Sequence, residues 1–415
     1  MDRRHDPQGY GNLLERPSRL RASEARRRRR RIVLASAALV AVLAGAAYAV
    51  AQSGVLGRGP DATAPVAETT ATAEPTATVP TGEPTATADP LAETVIEIGW
   101  VGDTTPGSMY GNPPEAGRAL FDQVRSYTLA PDIMVANLEG TFGTGGTSKC
   151  DGRDSSACYA FQAPPENAAA LAWAGIDVVN LANNHSMDYL AAGLQSTREA
   201  LDANGVAYTG LVDTVAVKEV DGVTVAFLGF SPYSWSPDIG DLAAAQTLVR
   251  DAGETADVVV VLVHAGAEGA DKTHTPDGPE TAYGEFRGDA RAFARAVIDA
   301  GADMVLGSGP HVVRGMEVYQ GRLIAYSLGN FAGWKNFSRS GNLALSGLLS
   351  VRVAGDGRVL GGSWLSLRLA DPGVPVVDPD GASATLVNQL SAEDFETPVT
   401  VAPDGTFDLA QPLTP

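Results

Sequence analysis

Val258 to Val263 is an unbroken aliphatic run that stops at His264. A strand of that composition has no face left for water, so it must be covered on both sides, and helices are the usual cover. The rest of the middle of the chain obeys the same constraint. Val95 to Val101 alternates apolar residues and ends at Gly102-Asp103. Ile133 to Ala136 ends at Asn137-Leu138-Glu139, Asp177 to Ala182 ends at Asn183-Asn184-His185, and Met304 to Leu306 runs into Gly307. Helical periodicity fills the intervals at 116–127, 166–174, 189–204, 242–253 and 289–300. Three X-Gly turns, Asp221-Gly222, Gln320-Gly321 and Asp356-Gly357, mark hairpins. Strand–helix alternation followed by hairpins predicts an α/β layered domain with an antiparallel part over residues 95–369. Residues 370–415 are Pro- and Asp-rich, with one short helix near 383–391, and read as a C-terminal extension.

Polar residues collect at the strand ends. Asp103, Glu139, His185, His264 and His311 each follow an apolar strand or a short turn after one. In α/β sheets the carboxyl ends of strands line the ligand crevice, so these five side chains are expected to converge. Any one of them alone reads as a turn, cap or packed residue. Together, Asp, Glu, Asn and His form a hard-to-borderline donor set that suits Mn, Zn or Fe. The loop from Ala265 to Gly288 is long and polar, carrying Glu268, Asp271, His274, Asp277, Glu280 and Glu285. Such a loop is either functional or a solvated excursion. Trp235, in Pro232-Tyr233-Ser234-Trp235-Ser236-Pro237, reads first as loop packing and second as a substrate platform.

Six blocks occur in order: Gly102-Asp103, Asn137-Leu138-Glu139-Gly140, Leu181-Ala182-Asn183-Asn184-His185-Ser186-Met187-Asp188, His264-Ala265-Gly266-Ala267-Glu268, Gly307-Ser308-Gly309-Pro310-His311 and Ser327-Leu328-Gly329-Asn330-Phe331. This series resembles the capsule-synthesis CapA family, associated with poly-γ-glutamate capsules, itself similar to the calcineurin-like metallophosphoesterases. The resemblance implies a sandwich of two mixed sheets flanked by helices. It implies Asp103, Glu139, Asn184, His264 and His311 as ligands of one or two divalent ions. It implies His185, beside Asn184, as the acid that protonates a leaving group. Glu268, His274, Asp188 and Asn330 are further candidates near the site. Two positions depart from the pattern: Thr105 stands where phosphoesterases carry an imidazole, and Gly309 where CapA-type sequences carry another. One metal, or a binding pocket without catalysis, therefore fits these residues as well as two metals do.

The first 94 residues read as an address and a stalk. Arg26 to Arg31 is followed by Ile32 to Ala51, which is free of charge. Twenty helical residues span about 30 Å, enough to cross a bilayer core. The arginines predict a cytoplasmic N-terminus and a single-pass signal anchor over 32–51. Ala47-Tyr48-Ala49 and Ala49-Val50-Ala51 keep a cleaved signal peptide open as the competing reading. Residues 52–94 are dominated by Ala, Thr and Pro, with Glu-Pro-Thr-Ala-Thr at 74–78 and again at 83–87. Such a segment cannot bury a core and serves as an extended linker.

Charge follows the same division. Residues 1–31 hold 11 Arg against 4 acidic residues, whereas the remainder holds 19 Lys and Arg against 45 Asp and Glu. An acidic folded part excludes nucleic acid as a broad electrostatic partner. The expected partners are the cell membrane, a surface polymer or its precursor, and other membrane proteins of polymer synthesis or export. Two Cys exclude a disulfide-dense scaffold. Outside the cytoplasm Cys150 and Cys158 are expected to pair. Three functions remain in play: metal-dependent hydrolysis or transfer on the polymer, polymer binding and export without catalysis, and phosphoester hydrolysis of small compounds.

Overall fold

The computed structural model describes residues 90–409, apart from 109 and 154–157. The basic run, the apolar run 32–51 and most of the linker lie outside the described residues. Among the described residues no helix is long and apolar enough to cross a membrane.

Strand β1 (Val95–Thr105) opens the fold and is followed by β2 (Ile133–Leu138), α1 (Ala168–Trp173), β3 (Ile176–Asn180), α2 (Leu190–Ala203) and β4 (Ala207–Thr209). A hairpin of β5 (Ala216–Val220) and β6 (Val223–Phe230) leads to α3 (Leu242–Gly253) and β7 (Val258–His264). A short hairpin, β8 (Glu280–Ala282) with β9 (Glu285–Gly288), precedes α4 (Ala290–Asp299) and β10 (Met304–Ser308). Then come β11 (Met316–Tyr319), β12 (Arg322–Ala325), β13 (Asn330–Gly333), β14 (Leu345–Ala354), β15 (Val359–Ala370), β16 (Val374–Val377), α5 (Ala382–Asp394) and β17 (Thr406–Asp408).

Apart from the β8–β9 hairpin, these strands make two mixed sheets. The larger runs β16-β15-β14-β1-β2-β3-β4, with β13 beside β1 and β17 beside β15. Its β1–β4 half is parallel and its β14–β17 half antiparallel. The smaller runs β11-β12-β10-β7-β6-β5, parallel at its centre and antiparallel at both edges. Alternation then sorts the side chains by layer. Ile96, Ile98 and Trp100 of β1 meet Val225, Val260, Leu262 and Leu306 of the other sheet in one buried cluster. The opposite face of the larger sheet packs on α1 and α2 through Met134, Val179, Leu171 and Leu201. Val259, Val261 and Val263, from the other face of β7, pack on Val249 of α3 and Phe293 and Val297 of α4. Both faces of the aliphatic run at 258–263 are thus covered, and every one of its residues is buried. Each such side chain contributes about 1.5–3 kcal/mol through burial.

The helix expected over 116–127 is absent. Glu115 and Ala116 take positive φ, Gly117 follows at 89°, and only a 3-10 turn (Arg118–Leu120) and one α-turn (Arg125–Thr128) form. A Cβ at Gly117 would press on Asn167 and Ala170. The segment follows the wall of α1 and buries Leu120, Phe121 and Val124 at the expense of regular helix. The segment from 370 onward, set apart in the sequence, contributes β16 and β17 to the larger sheet and lays Val387 of α5 in the inter-sheet core. The long polar loop after β7 is anchored. Arg314, buried, forms a two-point pair with Glu280 (2.7 and 2.8 Å) and donates to the carbonyls of Lys272 (3.0 Å) and Ala267 (3.4 Å).

Candidate metal centre

The parallel strands β1, β2 and β3 of one sheet and β7 and β10 of the other end in the same place. Asp103, near the end of β1, pairs in register with Asn137 of β2 and with Asn330 of β13. Gly102 is required just before it, because a Cβ there would overlap the Gly329 carbonyl oxygen. That same carbonyl accepts the Asp103 N–H at 3.1 Å and so fixes the carboxylate's origin. Glu139 follows β2 directly, and His264 ends β7. One ligand atom from each of Asp103, Glu139 and His264 lies within 4.8 Å of the others, and all three residues are buried. Donors about 2.1 Å from a shared ion lie at most about 4.2 Å apart, slightly inside this limit.

An amide ladder orients these groups. Asn180 Oδ1 accepts from the Ala182 N–H (3.0 Å), so its Nδ2 turns to Asn137 Oδ1 (3.1 Å). Asn183 Oδ1 accepts from the His185 N–H (3.0 Å), and its Nδ2 donates to the Leu138 carbonyl (2.9 Å) and to Asn137 Oδ1 (3.3 Å). Asn137 is therefore held with Nδ2 toward Asp103 Oδ1 (2.8 Å) and His264 Nδ1 (3.2 Å). Ser308 Oγ also lies 3.2 Å from His264 Nδ1. His264 Nε2 faces Glu139 Oε1 at 3.6 Å.

The sharpest feature is what the set lacks. Both Glu139 oxygens, Asn184 Oδ1 and His264 Nε2 are buried and have no hydrogen-bond partner, and Asp103 Oδ2 faces only the His311 imidazole. Orphaned buried polar atoms are costly, and here they belong to residues of one candidate ligand set. A divalent cation fits them. His311 stands beside this group, with Nδ1 3.0 Å from Asp103 Oδ2 and 3.9 Å from Glu139 Oε2. Asn330 fixes its pose, because its Oδ1 accepts from His311 Nδ1 (2.8 Å) while its Nδ2 donates to the His311 carbonyl (3.2 Å). Glu139 thus lies between the two imidazoles.

The electrostatics follow from burial without water. Burial and the Asp103 charge push the Glu139 carboxyl well above the usual range. Burial also raises Asp103, but His311, His264 and the Asn137 amide outweigh it and hold that carboxyl below its usual value. Burial pushes the His264 imidazole down to about 3. His311 moves the other way, because Glu139, Asp103 and Glu268 together exceed its burial cost.

His185 belongs to a neighbouring, self-sufficient group. Its Nδ1 lies 2.9 Å from Asp188 Oδ2, which also accepts the Phe161 N–H at 2.6 Å. Burial lowers the His185 pKa, and Asp188 opposes that shift. Asp188 is committed here: its Oδ2 faces His185 and the Phe161 N–H, and its Oδ1 is ion-paired with Lys149 Nζ at 2.6 Å. Glu268 Oε2 sits 3.8 Å from His311 Nε2, and its other oxygen pairs with Arg287. His274 is placed elsewhere: it is exposed and pairs with Asp394 of α5 at 2.7 Å. Cys150 and Cys158 form a disulfide. Trp235 is half-buried and donates Nε1 to the Asn183 carbonyl (3.1 Å), which places it at the turn carrying Asn184.

The two positions without imidazoles have structural occupants. Thr105 is buried, and its Oγ1 accepts from Asn336 Nδ2 at 3.3 Å. Gly309 has φ of 115°, and a Cβ there would lie 3.0 Å from the Ala265 backbone and 3.3 Å from His264 Cδ2. A side chain at 309 would strain this turn. Residue-by-residue reading missed the ladder of Asn137, Asn180 and Asn183, the Ser308 contact and Arg287. Asn137 and Asn183 sit inside motif blocks, which was the available signal.

Residues 97–333 match the family model described as "Bacterial capsule synthesis protein PGA_cap". The "PGA biosynthesis protein CapA" of Bacillus subtilis (strain 168) is 30% identical over 274 residues, covering 61% of this chain and 67% of that protein. The "Capsule biosynthesis protein CapA" of Bacillus anthracis is 33% identical over 205 residues, 44% of this chain and 46% of that one, so the chain spans under half its length. A solved hypothetical protein from Thermus thermophilus superposes on 66% of this chain and 99% of its own, at 18% identity and a TM-score of 0.41. The family match covers more than half of the chain, including both carboxylates, Asn184, His185, His264, His311 and Asn330, and on that ground the chain belongs to the bacterial capsule synthesis PGA_cap family.

Proposed function

We propose that this protein is a membrane-anchored, extracytoplasmic CapA-like component that processes or exports a capsule or cell-surface polymer of the poly-γ-glutamate type, using a metallophosphoesterase-like divalent-metal centre. The observation that carries this reading is the buried donor set of Asp103, Glu139, Asn184 and His264, in which the Glu139, Asn184 and His264 donor atoms have no hydrogen-bond partner. Those four residues would hold the ion, with His311 at the edge beside Glu139. When bound, a divalent cation supplies Lewis-acid polarisation of a substrate oxygen. The rest falls to the chain itself. Asp188 accepts a hydrogen bond from His185 Nδ1–H, which leaves Nε2 as the nitrogen that exchanges a proton with a leaving group. The Asn137 amide holds Asp103 and His264 in place, so the ligands need no reorganisation. The basic run before residues 32–51 supports anchoring with the N-terminus inside and the folded part outside.

A second reading keeps the polymer and drops the chemistry: a binding or export module with a reduced metal site. Thr105 and Gly309 favour it, since each replaces an imidazole. One assay separates the two. Purified protein loaded with Mn²⁺, Zn²⁺ or Fe²⁺ is incubated with poly-γ-glutamate, and chain length is followed beside Asp103→Ala and His185→Ala. Shortening or transfer that both substitutions abolish supports catalysis. Retention of the polymer without any change in its length, weakened by chelator but not by His185→Ala, supports the binding module. Neither result, with every ion, overturns the polymer assignment.

A further inference from the structure

The segment from Lys149 to Phe161 grips the His185–Asp188 pair at both of its ends. At its start, Lys149 Nζ lies 2.6 Å from Asp188 Oδ1 and donates to the Asn184 carbonyl at 3.0 Å. The Lys149 N–H also donates to the Asp188 carbonyl at 2.8 Å. At its end, the Phe161 N–H binds Asp188 Oδ2 at 2.6 Å, and the Phe161 ring packs on His185 with centroids 4.4 Å apart. The Cys150–Cys158 disulfide joins the two ends. Asp188 is fully buried, while Lys149 reaches it from a partly exposed position.

We infer that Lys149, next to the Cys150–Cys158 bridge, is a positioning residue that fixes the His185 imidazole and the Asn184 turn relative to each other. The two oxygens of Asp188 are divided between partners: Oδ1 faces the ammonium, Oδ2 faces the imidazole and a backbone amide. A buried carboxylate stripped of its cation keeps a large desolvation cost and turns toward whatever donors remain. The division of oxygens, and with it the His185 ring pose, then fails. The ammonium also ties the Asn184 backbone to the same carboxylate, so a displacement of Lys149 reaches the candidate ligand and the candidate acid together. The bridge ties Cys150, beside Lys149, to Cys158, three residues before Phe161. Calling His185 the acid rests on the proposed function, whereas the placement by Lys149 does not.

The test is an imidazole nitrogen spectrum of the full chain in detergent, labelled at histidine and recorded at one fixed pH. The sequence holds five His, so each ring is assignable by single substitution. In the native protein His185 is expected to show a single Nδ1–H tautomer. In Lys149→Met its two ring nitrogens should move toward a common, exchange-averaged position, while His264 and His311 keep their signals and so report an intact fold. Lys149→Arg should restore the single tautomer. The Cys150→Ser, Cys158→Ser double variant, which keeps the lysine, should show the same averaging to a smaller degree. An unchanged Nδ1–H tautomer in Lys149→Met overturns the proposal. Should that variant not fold, an unchanged His185 in the double-serine chain overturns it instead. A protein without turnover or bound metal still gives this spectrum, so failure of the functional reading shows in the polymer assay and not here.

Discussion

The site has two halves that differ in completeness. On the ligand side, Glu139, Asn184 and His264 hold buried atoms with no hydrogen-bond partner. On the acid side, His185, Asp188, Phe161 and Lys149 satisfy one another within 2.6–2.9 Å. The carboxylates of both halves are fully buried, so their burial does not explain the difference. What differs is the partner each is built for. The acid side pairs its one carboxylate with Lys149. The ligand side sets two carboxylates against the single His311 imidazole, and a divalent cation would compensate the remainder.

Four experiments probe that contrast, in descending order of effect. Asp103→Ala should weaken divalent-metal binding by at least about 100-fold in elemental analysis and titration calorimetry, whereas His185→Ala leaves it unchanged. Equal losses in both variants would dissolve the distinction between the halves. Stripping the metal with chelator should lower Tm. Restoring an ion to about 100 times its Kd returns about 2.7 kcal/mol of stability. Asn137→Ala, which touches no ion directly, should cost about 10–100-fold in metal affinity by loosening Asp103 and His264, and wild-type affinity there would show the amide ladder to be dispensable.

The smallest effect is a pH dependence. Glu139 and His311 both have folded pKa values raised well above their ordinary ones. For Glu139 the buried carboxylate is disfavoured, so folding stability falls as pH rises from its ordinary value through the raised one. For His311 the favourable charge is present at low pH and is lost as pH rises through its folded value. The two act in the same direction. His264 and His185, whose folded values are lowered, act the other way and gain stability as pH rises toward the ordinary histidine value, so the check is a difference between variants. In the metal-free protein Glu139→Gln should remove a component of Tm that falls with rising pH. A Tm–pH profile that Glu139→Gln leaves unchanged would contradict the placement of that carboxyl.

Much of this arrangement is legible in the linear chain because strands impose it locally. An aliphatic run such as 258–263 states its own burial, and a polar residue that ends it states which edge it occupies. Asp103, Glu139 and His264 could be named because each terminates such a run. The failures lie where local pattern is outvoted. Helical spacing at 116–127 is real, yet Gly117 and the wall of α1 bend the segment into turns. His274 shares a loop with Glu268 but pairs with α5 instead. Lys149 has no local signature, since its partner Asp188 is remote in sequence and sits in a block that reads as belonging to His185. Contacts between an irregular loop and a buried carboxylate leave no periodic trace to read.

The two sheets meet at the ligand set. Asp103 and Glu139 leave the larger sheet, and His264 leaves the smaller one. An ion bonded to all three would act as a rivet through the sandwich, tying position 103 to position 264 without a covalent link. Tension applied where the chain enters the fold at Val95 runs along β1 straight to Asp103. The force needed to pull β1 out of the sandwich should then depend on whether the rivet is in place. Metal occupancy would set how firmly the domain resists being pulled from its N-terminal end.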